Sequence, residues 1–328
     1  MKKDTRDLVL GIDLGGTKVL TGVINSRGKV VSCDRDITPV AEGQDAVVRT
    51  ICESADRSIN GAGASVTDLV AAGIGIPGPS NPRTGILFTS PHLPGWCDVP
   101  IRSIMEEALG IKAFLINDAN AAAVGELHFG AARGARNMIY ITVSTGIGSG
   151  VIIDGEIYTG SNGTAGELGH MTIDDNGPRC NCGNNGCWES VASGTALARE
   201  ARKRINEGAR TSILDYVGGE VEQVTAKVIH QAAQDDDSLA KELIQHSAYY
   251  LGVGLANLLN IFNPEVIVIG GGLSNMGDRL LQPAYKEAER RAFKRNYQDV
   301  RFAQAELGHN SGIIGAAIFA LEQMNKKD

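Results

Sequence analysis

The chain has 328 residues, of which 43% are hydrophobic and 21% charged, and its net charge is -7. This is an ordinary globular composition, long enough for two domains. The acidic balance and the absence of a Lys and Arg block argue against nucleic acid as a partner. No apolar run is long enough for a membrane span, and the one before Asp13 is too short for an export signal, so the sequence predicts a cytoplasmic protein.

The first glycine-rich segment follows a predicted strand at residues 8–13. A glycine turn, a second strand running to Ile24 and a further turn into a third strand together predict a β-meander. The bare amides of such a turn can approach a phosphate, and a strand-end carboxylate can hold Mg²⁺ through water; a plain hairpin turn is the alternative. The candidate nucleotide-binding residues are Asp13, Gly15, Gly16, Thr17 and Lys18.

The same pattern recurs in the middle of the chain. A predicted strand at Met138–Val143 precedes a polar glycine turn at 144–150, a strand at 151–153 and another tight turn. Such a domain-scale repeat predicts two related lobes that face each other across a cleft. We place the first lobe at residues 1–133 and the second at 134–328, and expect the closing helix, 311–328, to pack back on the first. The candidate phosphate-binding residues of this repeat are Thr145, Gly146 and Gly148.

Between the repeats, hydrophobic periodicity alternates between helices and strands, which indicates an α/β protein. A run beginning at Gly73 has the form of a dinucleotide fingerprint, but Pro77 and Pro79 prevent the helix that such a site needs. A loop is therefore expected there. The expected helices are 45–59, 101–109 and 119–128, and the expected strands are 69–75 and 113–117.

Asn117 and Asp118 occur where a predicted strand ends and a helix begins. Open α/β sheets present ligand-binding groups at that edge. Asp118 is a natural N-cap for the helix, which is a sufficient structural role. The same carboxylate can also face a substrate and accept a proton from its hydroxyl. Because two glycine turns accompany it, we take Asp118 as the candidate catalytic base.

A histidine and three closely spaced cysteines form the most specific local pattern. His170, Cys180, Cys182 and Cys187 provide a complete tetrahedral ligand set for zinc. With four protein ligands no position is open, so the expected Zn²⁺ is structural. Glu167 and Glu189 flank this loop; exposed glutamates are commonly only solvated, but rigid paired acceptors are also what sugar hydroxyls require.

Three glycines in a row follow a hydrophobic strand expected at 265–270. A bare strand-to-helix connection would account for a glycine there. Three together favour the close approach of a flat ligand such as adenine. The candidate adenosine contacts are Gly270, Gly271 and Gly272.

Together these motifs resemble those of the ROK family, which groups bacterial repressors, open reading frames and kinases, and in particular its zinc-containing glucokinases. The resemblance runs from Gly11 to the Ser311-Gly312 start of the last helix. It implies a two-lobed actin-like ATPase fold of the ribonuclease H-like type. It also implies transfer of the γ-phosphoryl group of ATP, held with Mg²⁺, to the 6-hydroxyl of a hexose, first of all glucose, with Asp118 as base. The implied sugar-binding residues are Asn117, Glu167, Glu189 and His170, the last through its zinc-free ring nitrogen.

Alternative functions are compatible with the same motifs. The acceptors could hold N-acetylmannosamine, N-acetylglucosamine, fructose or allose instead of glucose. A sugar-responsive regulator without turnover is a further alternative, although the intact Asp118 and both phosphate turns argue against it. Repressor members carry a helix-turn-helix before the first glycine turn, where this chain has only a few residues, so no DNA-binding role is expected. We expect a homo-oligomer, either a dimer or a tetramer.

Overall fold

A computed structural model describes residues 7–326. Its strands are β1 (Leu8–Leu14), β2 (Lys18–Ile24), β3 (Val30–Ile37), β4 (Leu69–Ile76), β5 (Ser80–Asn81), β6 (Ile86–Thr89), β7 (Cys97–Val99), β8 (Ala113–Asn117), β9 (Met138–Val143), β10 (Ile147–Ile153), β11 (Glu156–Ile157), β12 (Val266–Gly270) and β13 (Arg301–Gln304). Its helices are α1 (Gln44–Gly61), α2 (Ile101–Leu109), α3 (Asp118–Phe129), α4 (Trp188–Ala192), α5 (Gly194–Asn206), α6 (Ala226–Gln234), α7 (Ser238–Phe262), α8 (Asp278–Arg291), α9 (Lys294–Asp299) and α10 (Ser311–Asn325). Across the described part of the chain, none of these helices is both long and apolar enough to cross a membrane.

Contacts between residues divide the chain into two compact units. The first is built from residues up to Tyr140, from 150–166 and from Ala305 onward, and the second from 141–149 and 167–304. Helix α10 therefore belongs to the first unit. The boundary between residues 133 and 134 that the sequence suggests stays a prediction.

The sheet of the first unit has the strand order β3-β2-β1-β4-β8. β1 runs antiparallel to β2 and parallel to β4, where Asp13 lies opposite Gly75. β4 is parallel to β8, where Ile76 lies opposite Asn117. Because the carboxyl ends of parallel strands share one edge, Asp13 and Asn117 lie at the same edge of this sheet.

Helix α10 packs against this sheet and against α3 at backbone distance. An ideal Cβ on Gly11 of β1 would lie 2.0 Å from the carbonyl oxygen of Ile313, and one on Gly315 would lie 1.6 Å from that of Ala121 in α3. Only glycine permits such an approach. This helix begins at Ser311, where the sequence indicates the start of the closing helix, and ends at Asn325.

The second five-stranded sheet has the order β11-β10-β9-β12-β13. One prediction here is wrong: the turn expected at 144–150 is shorter, because β10 begins at Ile147. Gly148 is therefore a strand residue, and so is Gly150. A Cβ on Gly150 would lie 2.5 Å from that of Ala123 in α3, so Gly150 serves helix packing and not a turn.

Short strands were not predicted from the sequence. β5, β6 and β7 form a three-stranded antiparallel sheet after β4. β13 pairs in parallel with β12 near the end of the second unit. Strands of two to four residues carry too little alternation to be recognised by periodicity.

A fully buried glutamate in α3 holds two distant segments of the first unit. The side chain of Glu126 has no exposed surface. Its carboxylate accepts hydrogen bonds from the backbone amides of Ala131 at 2.8 Å, Glu306 at 3.1 Å and Leu307 at 2.9 Å. A buried carboxylate is tolerated when backbone donors satisfy it in this way. Glu126 thus fixes the chain that leads into α10.

Replacing Glu126 should be strongly destabilising. Glu126→Ala would remove a buried carboxylate that accepts from three backbone N–H groups, one buried and two part-buried, and we expect the free energy of unfolding to fall by about 3–5 kcal/mol. Denaturant unfolding followed by circular dichroism measures this change.

Glu306→Ala is the matched control for this experiment. It removes an exposed carboxylate but keeps the backbone N–H that Glu126 accepts from. It should change stability by no more than about 0.5 kcal/mol. A Glu126→Ala protein as stable as this control would show that the buried carboxylate does not hold the segment.

Candidate active site and metal centre

The first glycine turn connects β1 to β2 and is braced by Thr38, just beyond β3. The Gly15 amide donates to the Lys18 carbonyl at 2.9 Å, which closes the turn. The Thr38 hydroxyl donates to the Gly15 carbonyl at 2.7 Å, and the Thr38 amide to the Thr17 carbonyl at 3.1 Å. Thr17 itself is exposed and Gly16 is half-buried. The turn is therefore rigid while its outer face stays accessible to a ligand.

Asp13 lies at the end of β1, beside this turn. Burial raises the pKa of its carboxyl, and the positive charge of Lys18 acts in the opposite direction. A Cβ on Gly312 would lie 2.7 Å from Asp13 Oδ2, so the first turn of α10 closes over the carboxylate. Asp13 and Lys18 thus lie at the same glycine turn, within electrostatic reach of each other.

The cap of α3 differs from the sequence-based interpretation. Asn117, not Asp118, is the N-cap: its Oδ1 accepts from the amides of Ala119 at 3.0 Å and Asn120 at 3.2 Å. Asn caps as well as Asp does, and the backbone of Asn117 is still extended at the end of β8. Asp118 is consequently the first helical residue, with its Oδ1 accepting from the Ala119 amide at 2.8 Å.

The second glycine turn is held by the start of α5. Within the turn, the Ser144 amide donates to the Gly146 carbonyl at 2.9 Å. The amides of Gly194 and Thr195 donate to the carbonyls of Ser144 at 2.7 Å and Thr145 at 3.3 Å. The second unit therefore brings Thr145 and Gly146 together with the N-terminus of α5.

The three successive glycines lie beside the same turn but serve different purposes. Gly271 has a φ of +86°, and its Cβ would lie 2.4 Å from the Val143 carbonyl oxygen, so chain packing explains it. Gly272 is different, because its Cβ would meet only the Ser144 hydroxyl, at 3.8 Å. Gly270 is the last, buried residue of β12. Gly272 is the position that leaves room for a ligand.

The four expected metal ligands converge. The ligand atoms of His170, Cys180, Cys182 and Cys187 all lie within 4.8 Å of one another. Cys180 Sγ is 3.7 Å from His170 Nδ1, and Cys182 Sγ is 3.6 Å from Cys187 Sγ. Two tetrahedral ligands bound to zinc at about 2.3 Å lie about 3.8 Å apart, so the cluster fits zinc. His170 faces the cluster through Nδ1, which leaves Nε2 directed elsewhere.

The electrostatics of the cluster also favour a bound cation. Burial raises the pKa of Cys187 to about 12, with further contributions from the neighbouring thiols of Cys182 and Cys180. The thiols of Cys180 and Cys187 therefore resist ionisation by themselves, whereas a dication stabilises thiolates. The cluster therefore has the donor set and the spacing of a structural Cys₃His zinc site.

Trp188 anchors the metal loop to α7. Its side chain is completely buried, and its Nε1 donates to the Tyr250 carbonyl at 3.0 Å. A Cβ on Gly254 would lie 2.0 Å from the indole, so the ring lies directly on the α7 backbone. The Tyr250 hydroxyl donates to Asp174 Oδ2 at 2.8 Å, which attaches the other end of the loop. The sequence pattern gave no indication of this anchor.

Three candidate sugar ligands cluster around the metal loop. Although Glu167 is accessible to solvent, desolvation by the surrounding chain raises the pKa of its carboxyl; His170 lowers that pKa and Glu189 raises it. Glu189 Oε2 accepts from the Ile147 amide at 2.9 Å, and its Oε1 is 4.0 Å from Cys180 Sγ. The second unit therefore gathers Glu167, His170 and Glu189 beside the phosphate-type turn.

The fold is that of the actin-like ATPases, as comparison with solved structures shows. A ROK family glucokinase from Streptomyces griseus in complex with glucose and AMPPNP has a TM-score of 0.83 at 33% identity, covering 96% of this chain and 99% of that one. A ROK hexokinase from Thermus thermophilus has a TM-score of 0.82 at 37% identity, covering 98% and 100%.

Sequence comparison then gives the family. A glucokinase from Halalkalibacterium halodurans is 38% identical over 321 residues, which are 97% of this chain and 96% of that protein. The sequence model of the family described as "ROK family" matches residues 9–323 of this chain. The chain belongs to the ROK family, and the resemblance noted in its motifs is confirmed.

The metal centre predicts the zinc content of the protein. Purified protein should contain about one zinc per chain by mass spectrometry, since four protein ligands converge on one point. Cys182→Ser should lose most of this zinc and bind glucose more weakly in calorimetry, because His170 and Glu189 depend on the loop.

Cys97→Ser provides the control for the metal experiment. Cys97 is exposed, as Cys182 is, but lies outside the cluster. This variant should keep its full zinc content. Wild-type protein that binds glucose without zinc, or Cys182→Ser protein that retains it, would contradict the assignment.

Proposed function

We propose that this chain transfers the γ-phosphoryl group of MgATP to the 6-hydroxyl of glucose. The observation that carries the proposal is the hydrogen bond of 2.9 Å from the Ile147 amide to Glu189. This bond joins the second glycine turn, the proposed phosphate-binding turn, to Glu189, one of the proposed sugar acceptors that the cysteine cluster holds in place. A phosphoryl-transfer site needs both anchored phosphates and an oriented hydroxyl, and the second unit provides groups suited to each.

Glucose is the proposed sugar because two of the relatives compared above are named glucokinases, and the structure of one of them was determined with glucose and AMPPNP. The hexose is accordingly the partner proposed for this chain, and ATP the phosphoryl donor. A homo-oligomeric state and a cytoplasmic location stay predictions, the first of which light scattering on the purified protein measures directly.

Asp118 is the proposed base. As the sugar O6 attacks the γ-phosphorus, the bond from phosphorus to the bridging oxygen of ADP breaks, and the O6 proton passes to the Asp118 carboxylate. Asp118 is the first residue of α3, where the helix N-terminus stabilises a negative charge. Asp13 would hold Mg²⁺ through water, and Lys18 with the Gly16 amide would bind phosphate oxygens, while Gly15, whose own amide closes the turn, would shape the turn around the nucleotide.

The role of Asn117 follows from its capping bonds. Its Oδ1 accepts from two amides of α3, so that oxygen is engaged. Its Nδ2 makes a long contact of 3.4 Å to the Gly78 carbonyl. We therefore assign the Asn117 amide group, as a donor, to a sugar oxygen.

The second unit contributes the remaining ligands. Glu167 and Glu189 accept hydrogen bonds from sugar hydroxyls, together with His170 through Nε2, and a zinc ion held by His170 and the three cysteines would fix the ring. With four protein ligands, zinc would supply rigidity to this group and leave no open position for the transfer. The proposed nucleotide contacts in this unit are Thr145, Gly146, Gly148 and Gly270–272, with Gly272 offering the open position for adenosine.

Asp118→Asn tests the proposed base. Asparagine cannot accept the O6 proton, so kcat should fall by about two to four orders of magnitude. Glucose affinity should stay within about threefold, because the hydroxyl contacts of the other acceptors are retained. A coupled ADP-release assay gives kcat, and calorimetry gives the dissociation constant.

Asp45→Asn is the matched control for Asp118→Asn. Asp45 also lies in the first turn of a helix, but it is exposed on α1 and is not one of the candidate residues. Its turnover should equal that of wild type. Near-normal turnover in Asp118→Asn would show that Asp118 is not the base. A kcat/KM that is higher for fructose, allose or an N-acetylhexosamine than for glucose would show that glucose is not the preferred substrate.

A further inference from the structure

The Glu189 carboxylate touches the second glycine turn from outside. Besides accepting from the Ile147 amide, it lies where a side chain on Gly146 would be. An ideal Cβ on Gly146 would lie 2.0 Å from Oε2, 2.9 Å from Cδ and 3.7 Å from Cγ of Glu189. These are the three nearest atoms, so Glu189 is the first group that a side chain at this position would meet. A side chain at position 146 would therefore require the Glu189 carboxylate to move.

The opposite side of the same carboxylate faces the metal cluster. Oε1 is 4.0 Å from Cys180 Sγ. Glu189 follows directly after Trp188, whose buried indole prevents α4 from shifting along α7. The backbone of Glu189 is thus anchored, while its side chain has one oxygen on the turn and the other toward the cysteine loop.

The turn is attached to the Glu189 segment at both ends. At one end the Glu189 side chain holds the Ile147 amide. At the other, the amides of Gly194 and Thr195, a few residues beyond Glu189, donate to carbonyls of the turn. A displacement of Glu189 is thus transmitted to the turn by direct hydrogen bonds and not through a long path.

We propose that Glu189 couples the two substrates: by holding the Ile147 amide with one oxygen and a sugar hydroxyl with the other, it makes glucose binding order the phosphate-binding turn. This inference rests on the proposed function, since it assigns a link between the sugar and ATP ligands. A sugar hydroxyl on Oε1 fixes the carboxylate, and the fixed carboxylate orders the turn that ATP must meet. ATP then loses less conformational freedom on binding, so each ligand raises the affinity for the other.

The coupling is measured as a ratio of dissociation constants. Calorimetry with AMPPNP, with and without saturating glucose, should show that glucose tightens AMPPNP binding at least about fivefold in wild type. In Glu189→Ala this ratio should fall to about one, since no side chain links the sites. Glu189→Gln keeps an oxygen that can accept from Ile147 and should retain a larger ratio than Glu189→Ala.

A double-mutant cycle isolates the contact itself. Gly146→Ala inserts a methyl group against the Glu189 carboxylate, and Gly146 has no positive φ that would strain an alanine. It should abolish the coupling and weaken glucose binding, although residue 146 belongs to the phosphate turn. In the Glu189→Ala background the methyl group no longer meets the carboxylate, so Gly146→Ala should have no further effect on the coupling.

A merely structural role for Glu189 would give a different result, because it would weaken each ligand separately and leave the ratio unchanged. Coupling that persists in Glu189→Ala and Gly146→Ala, or is absent from wild type, overturns the proposal even if the protein phosphorylates glucose. Failure to phosphorylate any hexose overturns the proposed function instead. Melting temperatures measured for each variant identify any that have not folded.

Discussion

The burial of the Trp188 indole on the α7 backbone is the contact on which the second unit's candidate site depends. The residue before it, Cys187, is a metal ligand, and the residue after it, Glu189, is a proposed sugar ligand. An aromatic side chain without exposed surface contributes several kcal/mol of stabilising burial and has one orientation. One hydrophobic contact therefore sets the positions of a metal site, a sugar acceptor and, through Glu189, a glycine turn.

In the first unit, backbone packing rather than an aromatic contact positions the candidate residues. Glycines in β1 and α10 let α10 approach β1 and α3 so closely that backbone meets backbone, and no flexible side chain lies between them. The start of α10 lies against Asp13, and the start of α3 carries Asn117 and Asp118 at the same sheet edge. Rigid backbone packing thus places three polar residues, much as metal ligation and an indole do in the other unit.

The sequence predicted well whatever is encoded locally. The metal ligands lie within eighteen positions of one another, and the long strands and helices show their period directly. Contacts between distant residues were not predictable. The hydrogen bond from the Ile147 amide to Glu189 spans 42 positions, and no pattern in either segment indicates it. Glycine was the most ambiguous signal. Gly150 and Gly271 suggested turns for ligands, but both are needed for chain packing, and only the folded backbone distinguishes these causes.

The membership of α10 in the first unit has a consequence for how the protein is made. During synthesis, β1 and β4 leave the ribosome more than two hundred residues before the helix that covers them. Until then the nascent sheet exposes the apolar surface that α10 later buries, and Glu126 lacks the amides of Glu306 and Leu307. The second unit, by contrast, is complete at Gln304. The first unit can therefore complete its folding only after the second unit has been synthesised, and until then its uncovered apolar surface favours aggregation.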